Sequence, residues 1–231
     1  MCQFKSGEAI LRDGVLEIVT CRDTDSHREN RKRHGIGEVQ SQFRETYHTP
    51  LEFVPVRGLF EKADYDLVFD AGRPDWWTDA HTETAIDAMW EAAQRQLDIE
   101  NRTVLDTAGD LVLDSLQSLE GVTFGEVGRD FRLDLLQWME DVTFGEIGGS
   151  LILRSLQSLE GVTFGEVGHN LILSSLQSLD GVTLPKTGHN LYLNSLQSLD
   201  GVTFGEIGGV FYYKGAWHTL AECRAMEEHA Q

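Results

Sequence analysis

Residues 109–128 read GDLVLDSLQSLEGVTFGEVG, and four further copies follow without insertion or deletion, so residues 109–208 are five units of 20. Apolar residues of the first unit fall at Leu111, Leu113, Leu116, Leu119, Val122, Phe124 and Val127, with gaps of 2, 3, 3, 3, 2 and 3, then 4 to Phe131. A helix repeats gaps of 3 and 4 and a flat strand repeats 2, so neither gives this mixture. Short strands joined by corners do. The Leu-x-Leu and Val-x-Phe alternations predict strands of a few residues, and Gly121, Gly125 and Gly128 are expected to supply positive-φ corners. Stacked units then bury a continuous apolar column, each coil ~4.8 Å above the last and five coils making a rod ~24 Å long.

Around this repeat, the 231-residue chain is 41% apolar and 25% charged, with 38 Asp and Glu against 19 Lys and Arg, a formal charge of −19. Such a surface repels nucleic acid and anionic membranes, whose binding depends on basic side chains displacing counterions. No run approaches the ~18 apolar residues of a membrane helix. Lys5, Glu8, Arg12, Asp13 and Glu17 interrupt the opening stretch where a signal peptide would be apolar, and Cys2, Cys21 and Cys223 form no disulfide framework. The expected location is cytoplasmic, with a basic protein surface as partner, no cofactor, and a homo-oligomer left open.

The series Leu119, Val122, Phe124, Val127 and its copies resembles the leucine-rich-repeat core, and Leu179 to Pro185 is similar to proline-bearing units of bacterial surface-type leucine-rich repeats. The likeness spans about 100 of the 231 residues. Val127, Ile147, Val167, Thr187 and Ile207 stand where that family carries a laddering asparagine, which favours a compact helix-free solenoid. The resemblance implies a surface presented to a partner.

The fold class expected is α+β: a small α/β domain over residues 1–100, a β-solenoid over 101–215, and a capping helix over 216–231. Terminal coils need covering, because an open coil exposes strand edges and core. Val104 and Leu105 are expected to centre a degenerate opening coil. At the other end, residues 210–213 should add an aromatic strand, and residues 219–229 a helix with Leu220, Cys223 and Met226 on one face. In the first domain, residues 8–11 and 15–20 flank Asp13-Gly14, a hairpin signal. Ser26 to Glu29 fits a capping box whose helix Gly35 would close. Strands are expected at 51–57 and 66–70, and Ile86, Met89, Trp90, Ala93 and Leu97 mark one face of a helix over 78–97.

Four features carry potential chemistry. Removal of the initiator methionine would leave Cys2 with a thiol and an α-amine, able to act as nucleophile and base. Cys21, Asp23, Asp25 and His27 alternate, so an extended chain would set them on one face, where a carboxylate can orient an imidazole or a metal can bind; the other reading is that Asp25 and His27 cap and flank the helix that begins at Ser26. Their spacing matches no zinc pattern, so no metal is assigned. Arg28, Arg31, Lys32, Arg33 and His34 form a basic cluster suited to a phosphate or to the chain's own carboxylates. Finally, the repeat stacks acids in two columns: Glu120, Glu140, Glu160, Asp180 and Asp200 in one, and Glu126, Glu146, Glu166 and Glu206 in the other, interrupted by Lys186. Residues 101–208 hold 15 acids and 5 bases, 5 − 15 = −10, on a rod as long as roughly seven base pairs of duplex at ~3.4 Å each.

The opening domain resembles uncharacterised phage and bacterial proteins in which Met-Cys-x-Phe-Lys (Met1, Cys2, Phe4, Lys5), Asp-Ser-His (Asp25, Ser26, His27) and Pro-Asp-Trp (Pro74, Asp75, Trp76) precede solenoid repeats. That resemblance implies a mobile-element setting. Two functions are therefore expected to compete: a non-enzymatic protein whose acidic solenoid imitates DNA and inhibits a host or defence protein, and an enzyme or ligand binder using Cys2, Lys5, Asp25 and His27, with Trp76 and Trp77 near its pocket.

Overall fold

The computed structural model describes residues 4–21, 26–36, 46–219 and 221–222. Contacts divide the chain into two compact units, Met1–Ile99 and Glu100–Gln231. Among the described residues no helix is long and apolar enough to cross a membrane.

The first unit is a four-stranded antiparallel sheet in the order β2-β1-β3-β4, built from β1 (Lys5–Arg12), β2 (Val15–Val19), β3 (Thr46–Pro55) and β4 (Tyr65–Phe69). Asp13 and Gly14, with φ of 49° and 80°, make the left-handed pair that a tight hairpin between β1 and β2 requires. Residues paired across strands share a face, so the register Gly7↔Leu51↔Phe69 and Ala9↔Ile18 collects apolar side chains on one side. The helix α2 (Asp79–Gln94) covers that side. Thr78 caps it, with His81 completing a capping box. Ala85, Met89, Ala92 and Ala93 are its buried positions, while Ile86 and Trp90 of the expected stripe are half-buried. The contact is close enough that a Cβ on Gly7 would lie 2.7 Å from Met89 Sδ.

The opposite register, Ser6↔Glu52↔Val68 and Ile10↔His48, makes the other face largely polar. A short helix, α1 (His27–Arg33), lies against it, capped by Ser26, whose side chain accepts from the Glu29 N–H. Gly35, at φ 63°, follows its end.

The second unit is a parallel β-solenoid of about six turns. Equivalent positions bridge at intervals of 20: Leu111, Phe131, Leu151, Leu171, Leu191 and Phe211 along one side, Thr103, Thr123, Thr143 and Thr163 along another, and Thr107, Val127, Ile147, Val167, Thr187 and Ile207 along a third. Between residues 100 and 218 there is no helix. All seven apolar positions of the first unit are buried, at 0–6% exposure. Phe124, Phe144 and Phe164 stack face to face at 5.4 and 5.5 Å, until Leu184 replaces the ring. The opening coil is real, but only Val104 enters the core; Leu105 is 43% exposed.

Of the three corner glycines, only Gly121 has a positive φ, 59°, as do its copies Gly161, Gly181 and Gly201. Gly125 and Gly128 serve close packing instead. A Cβ on Gly128 would lie 2.5 Å from the Ala108 carbonyl oxygen, and one on Gly168 would lie 2.3 Å from that of Gly148. The coils approach backbone to backbone there, and any side chain would hold them apart.

A polar ladder replaces the asparagine ladder absent from the Val127 column. Asp110 accepts from the Asp130 N–H, Asp130 from Ser150, Ser150 from Asn170, Asn170 from Asn190 and Asn190 from Val210, at 2.7–3.3 Å. Each side chain thus satisfies a corner amide of the next coil, which the backbone bridges leave over.

The expected strand at 210–213 is Phe211–Tyr213, and Lys214 and Gly215, at φ 49° and 81°, turn it into an antiparallel partner, Ala216–His218. That hairpin was not foreseen and ends the parallel stack. Of the expected helix, Ala221 and Glu222 are helical; Leu220, Cys223 and Met226 lie outside the described residues. Glu222 accepts from the N–H and hydroxyl of Thr219, which holds its carboxyl below the ordinary range.

Candidate functional site

Two regions gather charge, one in each unit. In the first unit the polar face of the sheet holds Glu8, fully buried, and Glu52, 8% exposed. His27 enters from the first turn of α1, itself 7% exposed. Its Nδ1 lies 3.4 Å from Glu8 Oε1, and its Nε2 lies 3.2 Å from Asp70 Oδ2 and 3.8 Å from Glu52 Oε1. Arg31, one turn along the helix, sets Nε 3.2 Å from the same Glu8 oxygen, and His48 Nδ1 lies 3.7 Å from the other. Asn30, fully buried, ties the helix down by donating to the Ser6 carbonyl at 3.1 Å. A histidine with a carboxylate near one ring nitrogen and two more facing the other can move a proton or hold a cation.

Of the residues nominated from sequence, His27 is here, but as the first residue of a helix rather than in an extended run with Cys21. Asp23 and Asp25, and Cys2, lie outside the described residues. Lys5 is buried, its Nζ donating to the Cys21 carbonyl at 3.1 Å. Trp76 and Trp77 do not line this site. Trp77 packs with Ala9, Leu51 and Ala85 on the α2 side of the sheet, its Nε1 donating to Thr82 at 2.9 Å. In the basic cluster Arg31 pairs with Glu8 and Arg33 with Glu29, so both serve the chain's own carboxylates. Glu8, Glu52, Asp70 and His48 were missed. The signal for three of them was polar residues sharing one face, Glu8 with Ser6 in β1 and His48 with Glu52 in β3, whereas Asp70, one residue past β4, carried none.

In the second unit, charge is sorted by face. Arg132 bridges Asp114 and Asp134 at 2.6 and 3.2 Å, and Arg154 grips both oxygens of Asp134 at 2.7–2.8 Å. Lys186 pairs with Glu166 at 3.1 Å, and that bond and charge, with Glu206 and Glu146 behind them, hold its ammonium above the ordinary lysine range. The Glu126 column is thus partly neutralised. The other is not. Glu120 and Glu140 stand opposite in the register Trp138↔Ser118, Met139↔Leu119, Glu140↔Glu120, and the repeat carries Glu160, Asp180 and Asp200 along the same corner. All five are exposed and none forms an ion pair among the described residues, while the Arg102 guanidinium donates to the Glu120 and Gly121 carbonyls at 2.9 and 3.2 Å. Three and five positions upstream of these acids in successive coils, Gln137, Ser155, Gln157, Ser175, Gln177 and Ser195 line an open groove of about 510 Å³.

No family model, curated protein or solved structure matches the chain.

Proposed function

We propose that the chain is an interaction protein whose solenoid binds a basic protein surface through the Glu120 column and the Ser/Gln groove. The observation that carries this reading is the sorting of charge. Arg132, Arg154 and Lys186 pair with Asp114, Asp134 and Glu166 on the other faces, whereas at this corner one guanidinium, that of Arg102, reaches the Glu120 and Gly121 carbonyls, and Glu140, Glu160, Asp180 and Asp200 have no ion pair among the described residues. Like charges ~4.8 Å apart repel by somewhat under ~1 kcal/mol in water, a standing cost that a basic partner turns into binding. The five acids recur once per coil, ~4.8 Å apart and ~19 Å end to end, so the natural complement is a surface built for an anionic polymer, and a site made for nucleic acid fits that description. The leucine-rich-repeat resemblance of the coils and the mobile-element resemblance of the opening domain agree with a protein that occupies and inhibits a host target.

Affinity capture from the cells of origin tests it, with the wild type compared against a variant carrying Glu120→Lys, Glu140→Lys and Glu160→Lys. The expected result is a stoichiometric partner that duplex DNA displaces and that the variant, melting like the wild type, fails to retain. Equal capture by both proteins would remove the acidic corner from the interface.

A further inference from the structure

We infer that His27, Glu52 and Asp70 form a binding site for one divalent transition-metal ion, of the zinc or manganese class, with Glu8 as the residue that positions His27. One ligand atom of each of the three residues lies within 4.8 Å of the other two, and His27 presents Nε2 to Glu52 Oε1 and Asp70 Oδ2. Two ligands at ~2.1 Å from a metal and at a tetrahedral angle stand ~3.4 Å apart. The 3.2 Å from Nε2 to Asp70 and 3.8 Å from Nε2 to Glu52 bracket that value, so the imidazole already stands at ligand spacing from both carboxylates.

Charge gives an independent reason. Glu8 has the Arg31 guanidinium beside it, but the Glu52 side chain, 10% exposed, and Asp70 face no Lys or Arg among the described residues. Both aim at one imidazole nitrogen. A proton on Nε2 answers one negative charge; a divalent cation answers two. Glu8 Oε1 stands 3.4 Å from Nδ1, and a carboxylate on that side favours the tautomer with the proton on Nδ1 and the Nε2 lone pair toward the other two oxygens. One nitrogen and two oxygens suit zinc or manganese better than calcium, which takes oxygen ligands alone. Three protein ligands leave coordination positions open, and the Asp70 side chain, 41% exposed, places them at the solvent edge. The site is complete within the first unit and does not depend on the role proposed for the solenoid.

Equilibrium dialysis of the full chain against zinc chloride, and separately manganese chloride, followed by elemental analysis, tests the inference. The wild type is expected to retain about one equivalent, Asp70→Asn to lose retention, and Glu8→Gln to weaken it by about 10–100-fold, the usual effect of removing an orienting carboxylate. Asp70 sits at the surface, so its variant keeps the fold, which the melting curve verifies. Manganese should also broaden the His27 ring resonances selectively in the wild type. Retention of neither metal, or equal retention by wild type and Asp70→Asn, would overturn the assignment and leave His27 as an imidazolium paired with carboxylates.

Discussion

Glu140 stands directly opposite Glu120 in the parallel register of adjacent coils, and neither carboxylate forms an ion pair among the described residues, the Arg102 guanidinium donating instead to the Glu120 and Gly121 carbonyls. Glu120→Gln with Glu140→Gln should therefore raise the melting temperature at low salt. The gain should vanish near ~1 M salt, where the screening length falls to ~3 Å. Thermal melts of both proteins across a salt series measure this, and a salt-independent difference would mean that packing rather than charge is at work.

Coil spacing depends on glycine where backbones meet. Gly168→Ala pushes a methyl against the Gly148 carbonyl, with 2.3 Å between Cβ and oxygen, and overpacking of this kind should cost about 1–3 kcal/mol or more. Gly181→Ala, at φ 72° in open space, meets only backbone strain of roughly 1–2 kcal/mol. Denaturant titration should rank Gly168→Ala as the more damaging. The reverse order would contradict the close-approach argument.

The corner ladder predicts a local effect. Asp130→Ala leaves the N–H of Ser150, a residue 8% exposed, without its 2.7 Å acceptor, at a cost of about 1–3 kcal/mol. Hydrogen exchange should show the Ser150 amide losing protection while the Leu151 amide, bonded to the Asn170 carbonyl, changes less.

Alkaline pH probes the first unit. Burial first, and then the Asp64 carboxylate, push the Tyr65 phenol well above its ordinary 10.0, and its hydroxyl donates to the Leu59 carbonyl at 2.8 Å. The folded pKa is raised, so this contribution is complete below the unfolded value and is lost as the pH climbs above ~10. Stability should fall in that window, and Tyr65→Phe should start lower but fall less steeply.

The solenoid was legible because its rule is local and repeated. Seven apolar positions per 20 residues, copied five times, leave little freedom, and all seven of the first copy are buried. The reasons for individual glycines were not legible, because Gly121 answers to its own φ whereas Gly128 answers to a carbonyl one coil away. The Asp110–Asp130–Ser150–Asn170–Asn190 ladder was hidden by its changing residue types, although all can accept a backbone hydrogen bond. In the first unit the hairpin, both helices and the Ser26 cap could be read from short-range signals. The His27 cluster could not be read in full, since Glu8, Glu52 and Asp70 meet it only through antiparallel pairing across three strands.

Calorimetric titration of the purified chain with a synthetic peptide rich in lysine and arginine measures the acidic corner in isolation, at ~50 and ~200 mM salt. Wild type should bind with an affinity that falls steeply as salt rises, and the protein carrying Glu120→Lys, Glu140→Lys and Glu160→Lys should not bind. Binding that ignores salt, or that survives all three reversals, would contradict a solenoid whose work is done by its unpaired carboxylates.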